Sequence, residues 1–286
     1  MIHALEPRRL FAVSVSYDSV TQVLSFVGDE KRDSIAFART DPTETLRAVV
    51  NGVEQIYTDP ISQINVSAGD GADTVIGGQI TIPMFIRGGR GPDTLSGGRG
   101  NDTIFGDGGF DVIVGRQGDD ILAGGLQGDV LFGSAGNDTI LGQSAEDDND
   151  DSIAGGAGTD TLDYSALPVR VLINVGDFVL PDIDVSDRVF GDVEVLIGTD
   201  FNDRLVNGTR RGMTIDGRGG NDTILGGSGN DTLTGGPGTD SIAGFGGRDF
   251  INALDGISDA VDGGRDFDTA TVDQGLDALF NLESVS

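Results

Sequence analysis

Large aliphatic residues recur along most of this chain at a spacing of nine: Leu95, Ile104, Ile113, Leu122, Leu131 and Ile140, then Ile153 and Leu162, then Ile224, Leu233, Ile242 and Ile251. Between them stand glycines and small polar residues, as in the near-copies GGRGNDTIFG at 97–106 and GGSGNDTLTG at 226–235. A helix would not tolerate so many glycines. Each aliphatic is the middle of a three-residue run that suits a very short strand with one side chain turned inward. The six residues between runs suit a tight turn, because glycine takes positive φ without steric cost. Turn and strand, repeated twice, make an 18-residue coil. Successive coils then stack as parallel strands at about 4.8 Å.

Residues 11–66 follow a different rule. FAVSVSY and TQVLSFVG alternate like half-buried strands, and Asn51-Gly52 in AVVNGVEQIY is a hairpin signal. A β-meander capping the first coil is expected there, since an uncapped solenoid end exposes a sheet edge. GDEKRDSIA places Asp33 and Ile35 in the repeat relation but reads as a surface loop. Val169, Val171, Ile173 and Val175 alternate within a stretch that interrupts the repeats, and DVEVLIG leads back into phase. The boundaries are 1–12 for an N-terminal tag, 13–67 for the cap and 68–163 for a first repeat block. A β excursion of the same solenoid follows at 164–197, a second block at 198–271 and a terminal segment at 272–286.

An acid stands two positions before each aliphatic: Asp93, Asp102, Asp111, Asp120, Asp129, Asp138, Asp151, Asp160, Asp222, Asp231, Asp240 and Asp249. The full pattern, Gly-Gly-x-Gly-x-Asp-x-U-x with U a large aliphatic, resembles the nonapeptide of the RTX, or haemolysin-type calcium-binding, family. The resemblance covers roughly residues 68–271 with a break in the middle. It implies an all-β, right-handed parallel β-roll with calcium ions between stacked turns, held by the position-six aspartates and by backbone carbonyls. Carried over, one column is Asp93, Asp111, Asp129 and Asp151, and the facing one is Asp102, Asp120, Asp138 and Asp160. The second block pairs Asp222 with Asp240 and Asp231 with Asp249. Some units depart from the pattern. Gln127 replaces a glycine, Phe201 disturbs the unit ending at Asp203, and Asp259 and Asp268 lack a full glycine set. Asp73 looks like a first turn set apart from the rest; these four acids stand outside the principal ligand set.

Charge sharpens this reading. Asp plus Glu number 47 against 18 Lys plus Arg, a net charge of −29. Two carboxylates at about 5 Å repel by about 1 kcal/mol in water, and by about 3 to 4 kcal/mol at an effective dielectric of 20. A column of them needs a cation. Hard oxygen donors, no Cys and a single His select calcium or magnesium, and roomy carbonyl-rich turns favour calcium. Two aliphatics per coil make too thin a core to offset the ordering of its residues, so calcium takes the place of a core. AEDDNDDS offers Asp147, Asn149 and Asp151 to an EF-hand-like loop. Ser152 stands where such a loop needs glycine and Gly158 where it needs Glu, so the insert reads as a solvated acidic bulge.

The acidic balance argues against nucleic acid or an anionic membrane as partner, and no apolar run reaches the length of a span. With His3 the sole His and no Cys, triads and zinc sites of the usual kind cannot be assembled, and no catalysis is expected. The expectation is a calcium-binding protein, extracellular or at the cell surface, whose folding calcium drives outside the cell. The alternative is adhesion, matrix or glycan recognition through a cell-envelope partner; a polysaccharide-modifying enzyme built on paired acids ranks below it. ALEPRRLFA resembles the Leu-Glu-Pro-Arg-x-Leu-Leu tag of planctomycete exported proteins, with Phe11 for the last leucine. That resemblance implies export machinery. Members of the RTX family commonly use type I secretion with a C-terminal signal, and the acidic, apolar DALFNLESVS has that character.

Overall fold

The nine-residue aliphatics all point inward: Leu95, Ile104, Ile113, Leu122, Leu131, Ile140, Ile224 and Leu233 expose no surface. A computed structural model, describing residues 13–39, 45–142, 151–176 and 187–286, arranges their strands in two sheets of 14 and 15 strands. The described residues contain no helix and form a parallel β-solenoid of about 11 turns. The expected all-β parallel roll is the fold. Through the repeats the chain crosses from one sheet to the other every nine residues. Ile104, in Thr103–Gly108, therefore pairs in register with Ile86 on one side and Leu122 on the other. Ile113 lies between Leu95 and Leu131 in the facing sheet.

Turn geometry explains the glycines. At position four of the unit, Gly118 and Gly136 have φ of 109° and 137°, and a Cβ on Gly136 would lie 1.9 Å from the Gly118 carbonyl oxygen one coil away. Conformation and close stacking both require glycine there. Gln127, the departure from pattern, holds a left-handed φ of 80° without being glycine. Position five zips the coils together. Asn101 Oδ1 accepts from Asp119 N at 3.1 Å, Asp119 Oδ1 from Asn137 N at 2.8 Å, and Asn137 Oδ1 from Thr159 N at 2.9 Å.

The N-terminal strands do cap the solenoid, but they divide between its two sheets. Ser14–Asp18 and Val23–Val27 form an antiparallel hairpin whose second strand pairs in parallel with Gln63–Asp70. Ser34–Arg39, Leu46–Val50 and Val53–Tyr57 form the meander, joined in parallel to Thr74–Ile76. Its Asn51–Gly52 turn has φ of 49° and 79°, the left-handed pair that a tight hairpin needs. Phe26 packs edge-on against Phe37 at 5.1 Å and Tyr57 at 6.2 Å between ring centres, giving this end a hydrocarbon core.

The strands of the excursion belong to the same sheets, but out of sequence order. Leu172–Val175 lies beyond Arg188–Val189, so the chain steps one coil ahead and then returns. Tyr164 is fully buried at the step, its hydroxyl bonded to Asp187, and a Cβ on Gly142 would lie 2.0 Å from its ring. The 1–12 tag with His3, the insert at 143–150 and residues 177–186 lie outside the described residues.

Candidate metal centre

Position six precedes each short strand, so stacking the coils stacks its side chains. On the second sheet Asp33, Asp73, Asp93, Asp111, Asp129 and Asp151 form one column. Asp33 N donates to Asp73 Oδ1 at 2.6 Å, and Asp73, Asp93, Asp111 and Asp129 each donate a backbone N–H to Oδ1 of the next acid at 2.7 Å. On the first sheet Asp102, Asp120, Asp138 and Asp160 repeat the arrangement, with N-to-Oδ1 distances of 2.7 to 2.8 Å. Higher up, Asp203, Asp222, Asp240 and Asp259 continue one sheet, and Asp231, Asp249 and Asp268 the other. All twelve predicted acids therefore fall in the two columns, each no more than 3 % exposed.

Satisfying one carboxylate oxygen leaves the other. Oδ2 of Asp73, Asp93, Asp111, Asp120, Asp138, Asp160, Asp222, Asp231, Asp240, Asp249, Asp259 and Asp268 is buried without a hydrogen-bond donor. An ionised carboxylate so placed is costly unless a cation faces it. A glycine at position one frames the gap in most units, though Ala68 takes that place before Asp73. A Cβ on Gly88 would fall 2.3 Å from Asp93 Oδ2 and 2.7 Å from the Gly106 carbonyl oxygen of the next coil. Gly106 and Gly133 repeat this, with Asp111 and Asp138 at 2.3 Å and the carbonyls of Gly124 and Gly155 at 2.3 and 2.5 Å. Carboxylate and carbonyl oxygens thus converge where side-chain carbon is missing. Among the described residues no three acidic or imidazole side chains gather as one metal cluster. Much of any coordination shell would come from backbone carbonyls, the donor mix of a large hard cation. The residues fit calcium.

Burial holds these carboxyls well above the ordinary range. Desolvation, reinforced by Asp102 and Asp138, pushes Asp120 up to about 8; it takes Asp222 to about 8 and Asp93 to about 7. Asp102, Asp111, Asp138, Asp231, Asp249 and Asp259 are raised to about 6 by the same burial. Backbone N–H groups oppose the shift without cancelling it.

Three placements differ from the sequence reading. Asp33 is not in an ordinary surface loop: it is 1 % exposed, opens its column and takes Asn51 Nδ2 on Oδ1 at 2.6 Å. Asp73, Asp259 and Asp268 have the same open oxygen as Asp93, Asp111 and Asp120, whereas Asp203, like Asp102 of the principal set, does not. Glu194 holds a position-six site, accepting from Asp160 N at 3.0 Å, with Arg211 Nη1 at 3.8 Å from its other oxygen. The available signal was its place two residues before Leu196.

The matches to known families fall on these columns. Residues 65–79, 85–113, 114–148, 147–166, 214–233 and 225–258 match the family model described as the RTX calcium-binding nonapeptide repeat. The longer of the two gaps between matched segments, from 167 to 213, contains the stretch where the strand order is disturbed. No curated protein matches the chain.

Proposed function

We propose that this chain, whose coils carry RTX calcium-binding nonapeptide repeats and form a calcium-binding β-roll, is folded by calcium outside the cell. The observation that carries the reading is the row of buried Oδ2 atoms lacking donors, all but those of Asp73 and Asp259 beside a bare position-one glycine. In this reading Asp93, Asp102, Asp111, Asp120, Asp129, Asp138, Asp151, Asp160, Asp222, Asp231, Asp240 and Asp249 are the principal ligands. Bound calcium supplies the positive charge that lets neighbouring carboxylates stack ionised. The chain supplies the rest: turns that present carbonyls, glycines that leave room, and N–H groups that orient each carboxylate. Magnesium fits less well, because it demands a tight octahedron and sheds water reluctantly.

Extracellular or surface placement follows from affinity. Sites of extracellular modules bind at about 0.1 to 1 mM, far weaker than a cytosol's free calcium can fill. An acidic, cysteine-free chain stays soluble and unlinked until it meets calcium, which suits passage through export machinery. No catalysis is assigned to it. Circular dichroism with and without millimolar calcium tests the folding reading, and equal spectra would overturn it; folded protein confined to the cytosol would overturn the placement.

A second reading, adhesion or glycan recognition, has one observation in its favour. The outward positions of the second sheet, from Thr74 to Ala243, carry no acid and expose Ile76, Val112 and Phe132. On so acidic a chain that face can approach a neutral envelope polymer without repulsion. Retention of the calcium-loaded protein on envelope glycans, lost with Phe132→Asp, would support it.

A further inference from the structure

Some acids in the columns are not open. Asp102 accepts Met84 N on Oδ1 at 2.8 Å and Gly98 N on Oδ2 at 2.6 Å. Asp203 accepts Val171 N on Oδ1 at 2.7 Å and Thr199 N on Oδ2 at 2.6 Å, with the Thr199 hydroxyl at 3.0 Å. Asp33 takes Asn51 on one oxygen and Asp29 N on the other, at 3.1 Å. In all three the closing N–H comes from position two of the same unit, four residues before the acid.

Position two behaves differently in the open units. It is left-handed at Asp107, Arg116, Ser134, Arg218 and Phe245, with φ between 69° and 87°, and at glycines elsewhere. None of these residues closes its carboxylate. A left-handed backbone is unfavourable for residues with a side chain, so something must hold it at five such positions. Gly98, Thr199 and Asp29 are not left-handed. The unit ending at Asp259, ten residues after Asp249, is the one exception: Asp255, four residues before its open acid, is not left-handed, and the left-handed turn falls on the adjoining Gly256.

The coil beneath each acid sorts the two classes. Asp102 stands above Met84 and Asp203 above Val171, both buried and uncharged, and Asp33 is the first acid of its column. Asp231, above Met213, is a half-way case. Its Oδ2 is open, but Oδ1 takes Asn207 Nδ2 at 3.0 Å besides Met213 N at 2.7 Å. The other open acids stand above a carboxylate. An ion held between two coils explains the sorting, because without a lower carboxylate the position-two amide turns in to do the ion's work.

We propose that the position-two peptide sets calcium occupancy. Where it is left-handed the carboxylate is left for an ion; where it is not, as at Asp33, Asp102 and Asp203, the amide replaces the ion. Val171 and Met213 interrupt both columns near the same level, so the chain carries a lower and an upper calcium array that load independently, across a junction held by protein hydrogen bonds. This inference rests on the calcium reading above and refines it by leaving Asp102 a share only in the ion beneath Asp120 and none beneath itself.

The test counts calcium bound to the full chain at saturation, by equilibrium dialysis, with circular dichroism confirming that each variant is folded. Asp102→Asn and Asp203→Asn each remove a carboxylate only from the ion shared with the acid above and should lose one ion, while Asp120→Asn and Asp222→Asn, open themselves and beneath another acid, should each lose two. Asp203→Asn losing as many ions as Asp222→Asn would overturn the inference while leaving calcium-driven folding intact; a wild-type chain that bound no calcium would overturn both. Amide exchange on the unmodified, calcium-loaded chain gives a measurement independent of any variant. Gly98 and Thr199 should exchange slowly, and exchange at the rate of exposed amides would overturn the closed geometry. At limiting calcium, Asp240→Asn should deprotect the strands from Thr223 to Ala253 and spare those from Thr103 to Leu141. Equal deprotection of both would overturn independent loading.

Discussion

The first coils and the coils above them share two sheets and one strand spacing, yet they solve position six in opposite ways. Ile64 and Met84 fill it in the lower first sheet, both buried; from Asp102 upward acids take over. The lower end is built of hydrocarbon, with Leu24, Phe26, Ile35 and Leu46 almost wholly inside. The repeats contribute one large aliphatic per strand and a carboxylate beside it. One lattice position can thus be stabilised by burying carbon or by neutralising charge. The two solutions respond to different conditions, because carbon burial ignores calcium and pH whereas a carboxylate column depends on both.

The sharpest way to break this comparison is to remove calcium. A site binding at about 0.1 mM gains about 1.4 kcal/mol at millimolar calcium, so eight or more such sites contribute about 10 kcal/mol, the whole stability of a typical domain. In chelator, hydrogen exchange should lose protection from Asp93 to Asp160 and from Asp222 to Asp268. Val23–Val27 and Leu46–Val50 should keep more of theirs. Uniform loss along the chain would mean that the two ends are not held differently.

Single substitutions come next. Phe26→Ala empties an aromatic contact and should cost about 3 to 5 kcal/mol in calcium, with the calcium midpoint of the repeats unmoved. Asp120→Ala should cost a similar amount, about 3 to 5 kcal/mol at saturating calcium, by leaving other buried charge uncompensated. It should also raise the calcium midpoint and lower cooperativity. Calcium titrations followed by circular dichroism separate the pair, and a shared shift in midpoint would erase the distinction.

Acid should partly replace calcium in the repeats alone. Folded carboxyls raised to about 6 to 8 bind protons that the unfolded chain releases near its ordinary value of 3.8. The folded state therefore holds more protons between those limits, and stability falls as pH rises through them. In chelator the strand signal should be strongest at about pH 4 and below and decline towards pH 8. With saturating calcium this dependence should flatten, and a chelated protein that gained strand on raising the pH would contradict the burial of its acids. The smallest effect belongs to an acid outside the columns. Asp59 is exposed beyond the Val53–Tyr57 strand, and Asp59→Ala should shift stability by no more than about 0.5 kcal/mol and leave the calcium midpoint alone.

Reading the columns from sequence succeeded where the phase was strict. Asp93 through Asp138 keep a nine-residue step, so their stacking follows from local geometry, coil upon coil. It failed where pairing alone sets the register. Asp33 looked like part of a loop because its unit has a single glycine, yet parallel pairing of Ser34–Arg39 with Thr74–Ile76 places it in the column. Glu194 was missed because its unit carries the wrong acid and too few glycines. The reversed order of Leu172–Val175 and Arg188–Val189 leaves no mark in the chain, since both are short strands with an inward aliphatic, able to pair with either neighbour.

By itself, then, the sequence determined the coil, its parallel stacking and the two carboxylate columns, because a glycine-rich turn and a one-residue core repeat wherever the nine-residue unit does. Only the tertiary structure decided which carboxylates are open. That choice depends on whether Met84, Val171 or another acid lies one coil below, and on which way the position-two amide turns in answer. The first is a contact between residues 18 or more apart in the chain, beyond the reach of any local pattern, and the amide four residues before the acid only answers it.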